Sequence, residues 1–169
     1  MRELTPDEAL RFGRNVLLPE IGLAGQERLR ATAVRVGSLG AVGSASTLYL
    51  AAAGIGTLVL EDRAPVETAD LAGTLYTAEH VGRPRLEAAR EALARWDPGL
   101  AVREEGDAVC AVEALDLDDE PARLEVAGGT VRVAAGPGPR ALAAGAAAAL
   151  EIVKLVCGVG RPLDAEALG

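Results

Sequence analysis

With 169 residues, half of them hydrophobic but only 2% aromatic, the chain is long enough for one domain, whose core must be built from Ala, Val and Leu. A net charge of −8 at pH 7, with no Lys/Arg stripe interleaved with aromatics, excludes the basic face that nucleic-acid binding requires. Two cysteines outside any C-x-x-C and a single histidine cannot complete a four-ligand zinc site within one chain, so zinc is not expected.

Thr5-Pro6-Asp7-Glu8 reads as a helix start. Thr5 caps, Pro6 suits the first helical position and Glu8 completes a capping box. The helix is predicted to run to Leu17-Leu18 and stop at Pro19. Arg11 and Arg14, three apart, would then share one face. A second short helix is predicted over Ala24 to Ala31. The acidic, proline-containing start is unlike a secretory leader. The longest apolar run, Ala141 to Leu150, is too short to span a membrane. A cytoplasmic, reduced protein is the expectation.

The rest of the chain is organised around Val34 to Asp62. A strand, Val34 to Gly37, enters Ser38-Leu39-Gly40-Ala41-Val42-Gly43-Ser44. An apolar helix follows, Ala45 to Ala53, closed by Gly54, and a second strand, Thr57 to Leu60, ends in Glu61-Asp62. This is the order of a βαβ nucleotide-binding half. Glycines there allow a sharp turn, and a helix N-terminus favours phosphate. A carboxylate about 20 residues downstream suits a ribose hydroxyl, and Asp62 stands at that spacing from Gly40. The first glycine of a full fingerprint is Ser38 here. Gly40 and Gly43 are equally consistent with close helix–strand packing alone.

After Asp62 the sequence predicts a loop, a capped turn at Tyr76 to Gly82, and an amphipathic helix from Pro84 to Trp96 with Leu86, Ala89, Leu93 and Trp96 on its apolar stripe. A third strand is predicted over Leu100 to Glu104, and a helix over Ala108 to Leu115. His80, the lone histidine, reads as structural. The carboxylates Glu113, Asp116, Asp118, Asp119 and Glu120 read as a solvated loop, with a magnesium site as the alternative. Arg123 to Val126 and Thr130 to Val133 alternate about Gly128-Gly129, a hairpin signal. Arg140 to Cys157 reads as one long Ala-rich helix ended by Gly158, with Glu151 and Lys154 paired along it. The predicted whole is a single domain, 1–169. N-terminal helices occupy 1–32, a βαβαβ half 33–104, and a shortened C-terminal half with a β-hairpin 105–169.

Longer matches carry a resemblance. Arg11-Phe12-Gly13-Arg14-Asn15-Val16-Leu17-Leu18-Pro19-Glu20-Ile21-Gly22 and Gly25-Gln26-Glu27-Arg28-Leu29 resemble the start of the ThiF/MoeB/HesA family, bacterial relatives of ubiquitin-activating enzymes. The likeness continues through Tyr49 to Thr57, Leu75-Tyr76-Thr77 and Val81 to Arg85, and resumes at Ala148 to Leu163. It implies a Rossmann-like, mostly parallel α/β sheet flanked by helices, in a protein that dimerises with itself or with an active relative. It also implies ATP and magnesium as cofactors, and adenylation of the C-terminal glycine of a ubiquitin-like sulfur carrier.

By the same resemblance Ser38, Gly40, Gly43 and Asp62 are the nucleotide-binding positions. Arg85 stands at the catalytic lysine, keeping the charge but not the compact ammonium. Arg14 matches the arginine that crosses to the partner's ATP site. Other positions depart from the family: its second Asp is Ala64, its Asn is Asp70, and its phosphate-meeting Arg is Gly73. The strand carrying the family's magnesium-binding Asp has no evident counterpart between Glu105 and Ala134, so no metal ligand is assigned. Three readings follow: a non-catalytic dimer partner or scaffold that lends Arg14; an active adenylyltransferase with a shortened architecture; and a small dinucleotide-binding module.

Overall fold

In the computed structural model, residues 3–117, 122–136 and 138–163 are described. The N-terminal segment is two helices, α1 (Pro6–Arg11) and α2 (Gly13–Val16), and not one continuous helix. Thr5 caps α1 through the expected box with Glu8. The break falls at Phe12, which leaves helical geometry because its ring is drawn into the body, 3% exposed, with the Arg30 guanidinium 5.5 Å from the ring centroid. Arg30 is itself buried on α3 (Gly22–Ala31), and it ties three segments together through Glu8, Asp97 and the Ile55 and Gly99 carbonyls. The break separates Arg11 from Arg14. Arg11 reaches Asp97 and the Trp96 carbonyl, whereas Arg14 stays exposed.

The core unit is β1 (Ala33–Val36), α4 (Ala41–Ala53) and β2 (Thr57–Leu60), followed by α5 (Arg85–Trp96) and β3 (Ala101–Arg103). Then come β4 (Cys110–Asp116), the hairpin β5 (Arg123–Ala127) and β6 (Thr130–Ala135), and α6 (Pro139–Cys157). The six strands form one sheet in the order β3-β2-β1-β4-β6-β5, parallel except for β5. The expected Rossmann-like sheet is therefore present. Leu60, Val36, Val112 and Val131 stand in one register row, each fully buried; each such side chain contributes about 1.5–3 kcal/mol by leaving water. Helices α4 and α6 pack on one another and on β4 and β6. Their contact depends on small residues, since a Cβ on Gly145 would come within 2.5 Å of the Val42 carbonyl oxygen.

Two expectations fail in the second half. Residues 108–115 do not form a helix; Cys110–Asp116 is a central strand, parallel to both β1 and β6. Ala, Glu and Leu favour a helix locally, but pairing between two strands overrides that weak preference. The carboxylates are not one solvated loop either. Glu113 lies on β4 and pairs with Arg132 at 2.8 Å, and Asp116 ends the strand. Asp118, Asp119 and Glu120 lie outside the described residues. A smaller departure is Trp96, placed on the apolar stripe of α5 by its spacing but 49% exposed at the helix end.

Candidate functional site

The carboxyl ends of β1, β2 and β4 converge on the N-terminus of α4, the crevice where open α/β sheets take ligands. Ser38, Gly40, Gly43, Asp62 and Arg85 meet there. Gly40 is the N-cap of α4. A Cβ on Gly43 would fall 1.8 Å from the Ser38 carbonyl oxygen, so close strand–helix approach requires glycine at that position. A Cβ on Gly40 would fall 1.8 Å from Oδ2 of Asp116.

The loop's N–H groups are already engaged. Leu39 N–H donates to Asp62 Oδ2 at 2.9 Å, Gly40 N–H to Ser38 Oγ at 3.4 Å, and Val42 N–H to Asp116 Oδ1 at 2.9 Å. Asp116 thus lends its carboxylate to a helix N-terminus whose partial positive charge favours an anion. Burial and the charge of Asp70 push its carboxyl above the usual range, against the pull of the Val42 and Ala41 N–H groups and Arg85.

Asp62 follows β2. Its Oδ1 accepts from Ala64 N–H at 2.9 Å, and its Oδ2 also accepts from Arg85 Nη1 at 3.0 Å. Burial pushes this carboxyl up, but the Leu39, Ala64 and Arg85 hydrogen bonds, with the charge of Arg85, leave it below its ordinary range. Arg85 opens α5 and grips Asp70 with two bonds, Nε to Oδ2 at 2.8 Å and Nη2 to Oδ1 at 3.0 Å. Burial works against the guanidinium, yet Asp70 and Asp62 hold its pKa above the ordinary value. Asp70 is 3% exposed and sits in a 3-10 turn, Thr68–Gly73, where it accepts from Glu67 N–H. Tyr76 closes the floor, its hydroxyl reaching the carbonyls of Leu39 and Arg85. Burial drives its pKa far up, so the phenol stays protonated.

Arg14 is not part of this assembly. It projects from α2, and among the described residues no hydrogen bond or ion pair holds it. Exposed leucines surround it in sequence: Leu10 is 86% exposed and Leu17 81%. Nearby, Asn15, Ile21, Tyr49 and Leu150 line a cavity of about 210 Å³ between α2, α4 and α6.

Sequence reasoning missed the role of Asp116 and saw Asp70 only as a substituted position. The available signal for Asp116 was an acidic residue ending a short run, Cys110 to Asp116, that can alternate as a strand. His80, expected to be structural, is buried with Nδ1 accepting from Thr77 N–H at 3.0 Å. Among the described residues no group of three or more His, Cys, Asp or Glu is arranged to hold a metal, and no helix is long and apolar enough to cross a membrane.

Comparison with known proteins places the chain in a family and a fold. The ThiF family matches residues 12–121. Over 103 residues the chain is 42% identical to the molybdopterin-synthase adenylyltransferase of Salmonella typhimurium, a match covering 60% of this chain and 41% of that protein. It is 37% identical to the heterocyst protein HesA of Trichormus variabilis, with 60% and 39% covered. The chain spans about two fifths of the length of these curated relatives. In fold it is similar to the crystal structure of E. coli tRNA N6-threonylcarbamoyladenosine dehydratase, TcdA, in complex with AMP. That likeness has a TM-score of 0.76 at 14% identity and covers 94% of this chain and 98% of that one. It is also similar to the structure of PaaA, with a TM-score of 0.77, 20% identity, and 96% and 69% covered.

Proposed function

Since the chain belongs to the ThiF family, we propose that it serves as a non-catalytic dimer partner or scaffold in the activation of a ubiquitin-like sulfur-carrier protein, and that it lends Arg14 to an active relative. The observation that carries this reading is the carboxylate of Asp116 on the N-terminus of α4. ATP and magnesium, which the family implies, do not fit the crevice as it is folded. A polyphosphate needs free N–H donors and surplus positive charge. Here Leu39, Gly40 and Val42 already donate to side-chain oxygens. Three carboxylates, Asp62, Asp70 and Asp116, face one guanidinium, that of Arg85. Magnesium would need carboxylate lone pairs turned toward it, and Asp62 spends three on Leu39, Ala64 and Arg85.

Arg14 supports the positive half of the proposal. It is an exposed cation flanked in sequence by exposed Leu10, Leu17 and Leu18, and exposed apolar side chains together with an arginine suit a protein interface. In this reading the protein is a cytoplasmic dimer. The test pairs the chain with a co-purifying active relative. Arg14→Ala should cut carrier adenylation by about a hundredfold, the scale of losing one group that stabilises developing phosphate charge. Unchanged turnover would overturn the proposal.

A second reading is favoured by two observations. The Salmonella relative bears the name of an adenylyltransferase, and Asp62 stands at the end of β2 where a ribose would be held. On that reading the chain itself adenylates the carrier, and Asp116 must first release Val42 N–H. Pyrophosphate exchange by the isolated chain with its carrier separates the two: exchange supports the enzyme, and its absence supports the partner.

A further inference from the structure

We propose that Asn15 and Gln26 are positioning residues for Arg14: together they clamp α2 to the end of α4 and so fix the direction in which the arginine is presented. This rests on the role given to Arg14 above and extends it to the residues behind it.

α2 needs such a clamp. It is four residues long and buries none of them, and so short a helix is not stable by itself. Among the described residues no hydrogen bond or ion pair holds Arg14, so its place follows from that of its backbone. On one side of it Phe12, the N-cap of α2, sinks its ring into the body. On the other side stands Asn15, and among the described residues the side-chain hydrogen bonds from α2 to the body are those of Asn15.

The clamp joins three helices. Ala53 is the last residue of α4, where carbonyls lack a partner within the helix. Its oxygen accepts from Gln26 Nε2 at 3.0 Å and from Asn15 Nδ2 at 3.4 Å. A carbonyl only accepts, so Gln26 turns its NH2 group toward Ala53 and its own oxygen away. That oxygen accepts from Asn15 Nδ2 at 3.1 Å. Gln26 is fully buried, and a buried amide oxygen without a partner is costly. Capping α4 uses only the NH2 group; the oxygen is spent on α2. Gly54 keeps the junction open. Its φ is 90°, and a Cβ there would stand 2.3 Å from Gln26 Nε2 and 3.0 Å from the Phe12 ring. Both anchors of α2 therefore meet at a position that admits no side chain. Without Asn15, α2 is held at Phe12 alone. A cation displaced by about 1 Å gives up much of its effect on developing charge, a loss of up to about a hundredfold.

The test uses the full chain with a co-purifying active relative, and a second measurement on the chain alone. Asn15→Ala removes the link to α2 but leaves Gln26 on Ala53; Gln26→Leu removes both at similar volume. Each should lower the turnover number of carrier adenylation about tenfold and leave KM for the carrier unchanged. In an Arg14→Ala background each should cost less than about twofold, because a residue that acts through Arg14 then has nothing to position. In the chain alone, Asn15→Ala should raise amide exchange at Val16, Leu17 and Leu18 by roughly fivefold or more, with α3 and α4 at their wild-type rates. Thermal unfolding checks that each variant is folded. Wild-type turnover in both single variants, an undiminished loss in the Arg14→Ala background, or unchanged exchange in α2 would each overturn the proposal. A loss with Arg14→Ala that Asn15→Ala does not share overturns the clamp alone; Arg14→Ala without effect overturns the earlier reading and, through it, the role given to the clamp.

Discussion

Two of the arginines that stand between a pair of carboxylates do so in opposite settings. In the crevice Arg85 bridges Asp62 and Asp70, with side chains 14%, 13% and 4% exposed. On the open sheet face Arg132 lies between Glu113 and Glu125, with side chains 52%, 56% and 67% exposed. The same residue types therefore carry different weight. In the crevice, water has been replaced by fixed partners, and removing one member strands the others. On the sheet face, water stands ready to replace any member. The first triad holds the fold around a site; the second patterns a surface.

The sharpest way to break that comparison is to delete the two arginines. Arg85→Ala leaves Asp70 buried without its bidentate partner and should cost about 3–5 kcal/mol of unfolding free energy. Arg132→Ala should cost no more than about 1 kcal/mol. Urea unfolding of both variants checks this, and equal losses would end the distinction. Arg85→Lys restores the charge but not the two-pronged grip, and should recover only part of the loss. Next in size, Gly43→Ala drives a methyl into the Ser38 carbonyl and should cost about 1–3 kcal/mol. Gly128 has open space around its missing Cβ, though its φ of 56° adds some strain to any replacement, so Gly128→Asn, a residue tolerant of that conformation, should change stability by less than about 1 kcal/mol.

Why the crevice is half legible in the sequence follows from where its parts lie in the chain. Gly40, Gly43 and Asp62 belong to one βαβ unit whose geometry is nearly local, so spacing and glycine pattern place them. The hairpin and α6 are legible for the same reason: Gly128-Gly129 and the apolar run from Ala141 act within a few residues. Asp116 reaches Val42 across 74 positions, and no local pattern encodes such a contact. β4 reads as a helix because its alternation, Val112 buried and Glu113 exposed, is only a few residues long and rich in helix formers. Its identity as a strand comes from β1 and β6 on either side. The break at Phe12 is likewise hidden, since it depends on Arg30 beneath the ring.

The finest probe of the crevice is its response to acid, because Asp62 and Asp116 are displaced in opposite directions. The pKa of Asp62 is lowered in the folded state by the groups that hold it. Its contribution to stability is complete above its unfolded pKa, about 3.9, and is lost as pH falls from there through the folded value. The pKa of Asp116 is raised, so its sign reverses. The folded state binds the extra proton, and stability declines as pH rises from about 4 through the folded value. Urea midpoints measured from pH 3 to 7 should therefore separate the variants. Asp62→Asn should lessen the loss of stability at the acid end. Asp116→Asn should gain on wild type as pH rises above about 4. Differences from wild type that move in the same direction with pH would show that the N–H groups at the head of α4 outweigh burial and the charge of Asp70 at Asp116, and that its carboxyl is not raised.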